Sequence, residues 1–330
     1  MTAVNDTWMP LGIVEIEGIT VLRTDAYRMT TGTELIDLLR ARREMRTFIE
    51  DFDPDVVHGQ DLSPMLRSYE TVARKPVPVV ITIHNVMTRL SPTDLHLWGR
   101  ALRTADRVVG VSADVVDDTL TWAPWLGDRI SVVPNGTPPP AFAGGPVGDG
   151  PAELLCIGRL VPQKGFDRAL DALALVVKEH PDVHLTIAGV GAERAPLLER
   201  IADLGLVDHA TLCGRVDHDR IGEMLAASTA LVMPSRFEGL PLVALEAGWM
   251  SRPVIGTDVP GLRCAVADGV TGLLVAEDDT EALAAALSRV IEDRELARTL
   301  GARARRVAEQ EWSLGTCADR YEALYRGLVG

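Results

Sequence analysis

The chain has no uninterrupted apolar run long enough to span a bilayer, and its N-terminus lacks a basic stretch followed by an apolar one. Neither a membrane-spanning helix nor a secretory leader is therefore expected. An excess of positive charge is also missing. Its 47 acidic and 33 basic residues leave a net charge of -14 at pH 7. That argues against a nucleic-acid partner and against docking on anionic lipid through a broad basic surface, while still allowing a local basic pocket for phosphate. Cysteine is scarce. Cys156, Cys213, Cys264 and Cys317 stand far apart with no paired spacing. They read as reduced core thiols of a cytoplasmic protein, neither zinc ligands nor a disulfide frame.

What is present is ample apolar material. The 330 residues are 47% hydrophobic and 24% charged, enough for two domains with sizeable cores. From about Asp55 to Val275, short β-rich runs alternate with helical patterns, the sign of parallel sheets with crossover helices. In the first half, strands are expected at Asp55–Val57, Val79–Ile83, Arg107–Val111 and Ile130–Val133. Helices fall near Thr33–Asp51, Asp94–Thr104 and Ala113–Trp122. Ahead of them, Ile13–Ile16 and Ile19–Leu22 flank Glu17-Gly18 as a two-residue hairpin. Thr137–Gly150 is dominated by proline and glycine and reads as an interdomain linker. The second half restarts with strands at Glu153–Ile157, His184–Ala188, Ala210–Cys213, Ala230–Met233, Pro253–Gly256 and Gly272–Val275. Helices are expected at Gly165–Glu179, Ala192–Leu204, Asp219–Ala227, Leu242–Trp249, Thr280–Glu292 and Arg294–Glu311. The expected architecture is two Rossmann-like doubly wound α/β domains facing a cleft, with ligands at the carboxyl ends of the strands. The division is 1–140, a linker at 141–152, 153–312, and a C-terminal helix at 313–330 returning to the first domain.

Chemistry concentrates in Pro234–Ala247, where Glu238 and Glu246 stand in an apolar run. A carboxylate in such a setting is costly unless it is hydrogen-bonded or faces a polar cleft. Pro241 suits the first turn of a helix whose free N–H groups would form an anion site, and Gly239 permits close backbone approach. Arg159 and Lys164, in the run Gly158–Gly165, follow the first strand of the second half. They are either solvated loop cations or a grip on phosphate oxygens. Glu246, flanked by core-like residues, would accept two hydroxyl hydrogen bonds, as a ribose diol supplies. Two acidic triplets, Asp51-Phe52-Asp53 and Asp217-His218-Asp219, look like metal ligands. The first reads instead as loop carboxylates before Pro54, and the second as a helix start with Asp217 as cap.

Glu238-x7-Glu246 together with GRLVPQKG resembles the retaining glycosyltransferases of family four, which have the GT-B fold. Val133–Gly136, Ala188–Arg194, Cys213–Val216 and Asp268–Val275 match that family in the same order and cover essentially all of the second domain. The resemblance implies a nucleotide-diphosphate sugar donor and transfer to a hydroxyl acceptor, whether a sugar, a lipid-linked group or a small molecule. No cofactor and no metal ion are implied. Arg159 and Lys164 would hold the diphosphate with Gly239, Leu240 and Leu242. Glu246 would take the ribose hydroxyls, the backbone of Gly214-Arg215 would border the base, and Glu238 would lie against the donor sugar. His84 would point across the cleft toward that sugar. The implied reaction is front-face attack through an oxocarbenium-like state, with a donor phosphate oxygen receiving the acceptor's proton. For His58, a core or capping role and an acceptor-side role are both open; Ser112 reads as a helix N-cap, with an acceptor-side role as the alternative.

The first half departs from the family pattern. The opening strand, Gly-Gly loop and helix are not found, so a shortened N-terminal domain with an exposed sheet edge is expected, and three explanations are open: a mis-called start, a compact variant, or completion by self-association or a partner. Val259–Cys264 also stands where the family often has paired glycines and a glutamate. Two other readings are carried: a non-catalytic nucleotide-sugar binder or partner subunit, and a nucleotide-sugar epimerase.

Overall fold

The computed structural model describes residues 12–16, 19–23, 35–60, 77–140 and 144–330. The chain divides into two compact units. One comprises residues 1–110, 118–132 and 322–330, and the other residues 111–117 and 133–321.

In the first unit, strands β1 (Gly12–Ile16) and β2 (Ile19–Arg23) form an antiparallel hairpin with Ile16 opposite Ile19. The residues between them, Glu17 and Gly18, lie outside the described residues. Helix α1 (Leu35–Phe52) leads to a parallel sheet of β3 (Val57–Gln60), β4 (Val79–Ile83), β5 (Arg107–Gly110) and β6 (Ile130–Val132), in the order β3-β4-β5-β6. Strand β4 is buried along its whole length, as befits an interior strand of a parallel sheet covered on both faces. Helix α2 (Pro92–Thr104) starts from Ser91, whose Oγ accepts from the Asp94 N–H at 3.2 Å, and it turns Trp98, Ala101 and Leu102 inward. Helix α3 (Ala113–Trp122) starts the same way, with the Val115 N–H donating to Ser112 Oγ at 3.2 Å.

One strand is displaced from its expected place. Asp55–Val57 was the expected span, but pairing with β4 begins only at Val57 and continues through Gln60 against Thr82. Polar residues are carried into the strand because their side chains find partners there. His58 bonds Thr82 at 2.7 Å, so it stands inside β3 and not at its end.

The second unit holds β7 (Glu153–Ile157), α4 (Phe166–Val176), β8 (His184–Ala188), α5 (Arg194–Asp203), β9 (Ala210–Gly214), α6 (His218–Ala227), β10 (Ala230–Met233), α7 (Leu242–Trp249), β11 (Val254–Thr257), α8 (Leu262–Ala265), β12 (Gly272–Val275), α9 (Thr280–Glu292) and α10 (Arg294–Glu311). A last helix, α11 (Leu314–Val329), begins in this unit and ends in the first. The six strands are parallel, in the order β12-β11-β10-β7-β8-β9. From β7 the chain winds outward through β8 to β9, then returns to β10 on the other side of β7 and winds the opposite way. The reversal falls between β7 and β10, and there the following loops diverge to open a crevice. Residues 144–152 pack on the same unit. Val147 and Ala152 join its core, and Gly145 O accepts from the Arg252 guanidinium at 2.7 Å.

Two smaller departures lie at the crevice. Helix α4 starts at Phe166, because Gly165 takes the left-handed conformation (φ 64) as its N-cap. Pro241 is the N-cap of α7, not its first helical residue. The four cysteines are free, and Cys213 is exposed, which corrects its expected place in the core. As an outward residue of the edge strand β9, it has no covering layer. Asp217 occupies the N-cap position of α6, but its side chain makes no capping hydrogen bond.

A Cβ on Gly165 would lie 2.0 Å from Pro234 O, and an L-residue also resists this φ. Gly165→Ala is expected to destabilise the second unit by about 2–3 kcal/mol, measured as a lower midpoint of urea denaturation.

Candidate active site

The reversal between β7 and β10 brings together residues 158–165 and 234–241, and several bonds strap these loops to each other. The Arg236 N–H donates to Gln163 O at 2.8 Å, and Gln163 Nε2 donates to Phe237 O at 3.0 Å. The Arg236 guanidinium reaches Pro162 O and pairs with Asp167 at 3.0 Å; the Asp167 hydrogen bond raises its pKa. At the centre, Lys164 Nζ donates to Glu238 Oε1 at 2.6 Å, and Ser235 Oγ donates to the same oxygen at 2.6 Å. Glu238 is only 5% exposed, so the cation and the hydroxyl compensate for its desolvation. A third loop, after β11, completes the support. Thr257 Oγ1 donates to Ser235 O, and the Glu238 N–H donates to Pro260 O at 3.0 Å.

Helix α7 points its N-terminus into this crevice. The amides of Gly239, Leu240, Leu242 and Val243 have no acceptor among the described residues. Pro241 contributes no N–H, so the helix start presents a cluster of donors at the positive end of its dipole. Leu242 is exposed and Leu240 buried. The guanidinium of Arg159, exposed shortly after β7, also has no partner among the described residues.

One turn into α7, Glu246 lines a cavity of about 280 Å³ with Thr137–Pro140, residues of α6 including His218, and Trp249. Its carboxylate accepts no hydrogen bond among the described residues. Burial raises its pKa above the ordinary value, opposed by the nearby His218. Gly214 ends β9 with φ 77, its carbonyl accepts from Gly189 N–H at 2.8 Å, and Arg215 follows exposed.

The structure thus brings Arg159, Lys164, Glu238, Gly239, Leu240 and Leu242 to one crevice. It changes the local pairing, since Lys164 stands on Glu238. Ser112, 2% exposed, caps α3 as expected, and its hydroxyl donates to Gly239 O at 2.8 Å, at the start of α7. The supporting residues Ser235, Gln163 and Asp114 were not foreseen. Only Ser235 carried a signal, a hydroxyl three positions before Glu238.

In the first unit, His58 and His84 share a hydrogen-bonded chain. Tyr325 OH meets His58 Nδ1, and His58 Nε2 meets Thr82 Oγ1 at 2.7 Å. Gln60 Nε2 bonds His58 at 3.2 Å, while Gln60 Oε1 accepts from His84 Nε2 at 2.8 Å. Burial, helped by His84, lowers the His58 pKa from 6.5 to about 4. His58 is therefore a part-buried residue with its ring nitrogens hydrogen-bonded within the first unit. Among the described residues, one group with potential metal-ligand atoms within 4.8 Å of one another is Glu179, His180 and Glu292. It follows α4 and ends α9, at the sheet edge opposite the crevice.

Two Rossmann-like parallel-sheet units, the second doubly wound with a phosphate-type crevice at its reversal, match the GT-B class of glycosyltransferase. Residues 142–307 match the family described as Glycosyl transferases group 1, and residues 11–139 match Glycosyltransferase Family 4. The chain is 30% identical over 322 residues to glycogen synthase of Mycobacterium tuberculosis (strain CDC 1551 / Oshkosh), covering 90% of this chain and 78% of that one. It is 31% identical over 281 residues to the phosphatidyl-myo-inositol mannosyltransferase of Mycolicibacterium smegmatis (strain ATCC 700084 / mc(2)155), covering 82% and 71%. In fold it is similar to a sucrose-phosphate synthase from Thermosynechococcus elongatus, with a TM-score of 0.83, 24% identity and coverage of 98% and 86%. It is also similar to Anabaena HepE in complex with UDP and glucose, with a TM-score of 0.77, 20% identity and coverage of 93% and 86%. The chain belongs to the group 1 and family 4 glycosyltransferases and is a retaining, nucleotide-sugar-dependent glycosyltransferase. No helix among the described residues is long and apolar enough to cross a membrane.

Two outcomes follow from these pairings. Lys164→Met leaves Glu238 buried without its counter-charge and is expected to cost about 3 kcal/mol. Adding Glu238→Gln should recover most of that loss in a denaturation-based double-mutant cycle. For His58, the folded pKa of about 4 lies below the unfolded 6.5. The unfolded chain therefore takes up the proton first, and the stabilisation present above pH 6.5 is lost as pH falls through 6.5 toward 4. A His58→Gln variant should show a shallower loss of stability across that window.

Proposed function

We propose that the crevice of the second unit binds the nucleoside-diphosphate half of the sugar donor, and the observation that carries this is Glu246. A half-buried carboxylate without a hydrogen-bond partner among the described residues, at the wall of a cavity of about 280 Å³, is unfavourable unless a ligand supplies donors. A ribose diol supplies two. The cavity's proline and tryptophan lining suits the nucleoside, and the Gly214-Arg215 backbone, outside that lining, would border the base. The diphosphate sits on the amides of Gly239, Leu240, Leu242 and Val243 and on Arg159, with Lys164 shared between it and Glu238. The sugar lies against Glu238.

In the reaction, the bond from the anomeric carbon to the diphosphate oxygen breaks and its electron pair stays on that oxygen. The acceptor hydroxyl bonds the anomeric carbon from the same face, and its proton passes to a phosphate oxygen of the leaving group. Helix amides and fixed cations stabilise the charge that develops on the diphosphate, a role a metal ion would otherwise serve. His84, oriented by Gln60, carries the catalytic role in the first unit. The acceptor is a hydroxyl compound. UDP is the nucleotide in the complex of similar fold and is the first candidate for this chain.

Calorimetry with UDP, GDP and ADP tests the binding half. Glu246→Ala should weaken the nucleotide that wild type binds by about 10- to 100-fold, equivalent to roughly 1.4–2.8 kcal/mol. His84→Ala should lower turnover of the matching nucleotide sugar without changing that affinity. Equal affinity for wild type and Glu246→Ala would remove the assignment.

A further inference from the structure

Segment 111–117, encoded far from the crevice, contributes two polar side chains to its floor. Ser112 Oγ donates to Gly239 O at 2.8 Å and is itself held by the Val115 N–H at 3.2 Å. Asp114 Oδ2 accepts from the Gly261 N–H at 2.8 Å and from Cys264 Sγ at 3.3 Å. Gly261 lies directly beneath the donor loop. Its φ is 79, and a Cβ there would stand 2.3 Å from Glu238 O and 2.4 Å from Gly239 O.

The geometry has a directional consequence. The Gly239–Leu240 peptide is planar and trans, so its C=O and N–H point opposite ways. Ser112 fixes the carbonyl and thereby aims the Leu240 N–H, one of the amides without a partner among the described residues. Asp114 fixes the turn on which the neighbouring carbonyls rest. It does so by accepting the Gly261 N–H, and the Cys264 thiol donates to the same carboxylate oxygen.

We propose that Ser112 and Asp114 are positioning residues for the diphosphate, holding the Gly239–Leu240 peptide and the Pro260–Gly261 turn so that the helix-start amides converge on phosphate oxygens. This rests on the donor site proposed above. It predicts a selective defect, since neither residue lines the cavity at Glu246, where the nucleoside would sit.

The test compares wild type, Ser112→Ala, Ser112→Thr and Asp114→Asn by calorimetry with UDP, GDP and ADP and with uridine, guanosine and adenosine. Ser112→Ala and Asp114→Asn should weaken the cognate diphosphate about five- to tenfold, the size of one lost hydrogen bond, while binding its nucleoside within twofold of wild type. Ser112→Thr, which keeps the hydroxyl, should restore diphosphate affinity. Wild-type affinity for the diphosphate in both loss variants, or an equal loss for nucleoside and diphosphate, would overturn the proposal. If wild type bound none of the nucleotides, the donor-site reading itself would fail and the inference with it. A thermal melt of each variant without ligand separates a folding defect, which lowers both affinities, from the selective loss.

Discussion

The contact on which the rest of the second unit's site depends is Lys164 Nζ to Glu238 Oε1, at 2.6 Å. A carboxylate 5% exposed among apolar neighbours is too costly to leave alone. Compensating it requires a cation from the loop after β7 and a hydroxyl from the loop after β10. Because β7 and β10 are neighbours at the point where strand order reverses, those two loops start side by side and then diverge. The ion pair ties them across the gap, and the Arg236 N–H to Gln163 O bond with the Gln163 side-chain amide to Phe237 O sets the register of the tie. Gly165 can approach Pro234 as closely as it does only by lacking a side chain. Each of these features is ordinary alone. Together they leave the start of α7 with little freedom, and a rigid set of amides costs no reorganisation when negative charge arrives.

The charge balance of the crevice follows from the same pairing. Lys164 and Glu238 cancel, so the positive potential comes from Arg159 and from the helix start. That division suits a leaving diphosphate. In the proposed complex the Lys164–Glu238 pair would hold the loops together, while the exposed Arg159 guanidinium, without a partner among the described residues, would meet the phosphate oxygens. It also makes a basic surface unnecessary. A chain with a net charge of -14 can bind an anion when the attraction is local and built from backbone dipoles.

Much of this was legible from sequence because it follows from period and spacing. Strands β4, β7, β8, β10 and β12 and helices α3, α7, α9 and α10 lie where alternation and capping placed them, and the order of motifs resembled the family to which the chain belongs. What was not legible lies in contacts between distant segments. No local pattern shows that Lys164 would meet Glu238, since seventy-four positions separate them. Nor does one show that Ser112 would cap a helix and hold Gly239 at once. The displaced β3 has the same origin. His58 and Gln60 lie beyond the expected span and are carried into the strand with Thr82, Tyr325 and His84 as their hydrogen-bond partners. Cys213 fails as a core residue because sheet order, which composition does not encode, puts its strand at an edge.

The two units satisfy their buried polar groups by opposite means, and the difference bears on what each can do. In the first, His58 is kept neutral by burial, and its bonds to Tyr325, Thr82 and Gln60 pass orientation to His84 without moving charge. Such a chain fixes the direction of a ring and the position of its proton at little electrostatic cost. In the second, burial is offset by charge at Glu238 and left without a partner among the described residues at Glu246, where it raises the carboxyl pKa. That imbalance is the stronger indicator of function. A site that satisfied Glu246 internally would be more stable and would have less to offer a diol, because each bond made to the ligand would first have to be broken within the protein. In the complex proposed above the cost of leaving that carboxylate unpaired would be recovered on binding, and the fold holds it in place through the buried residues on the other faces of α7.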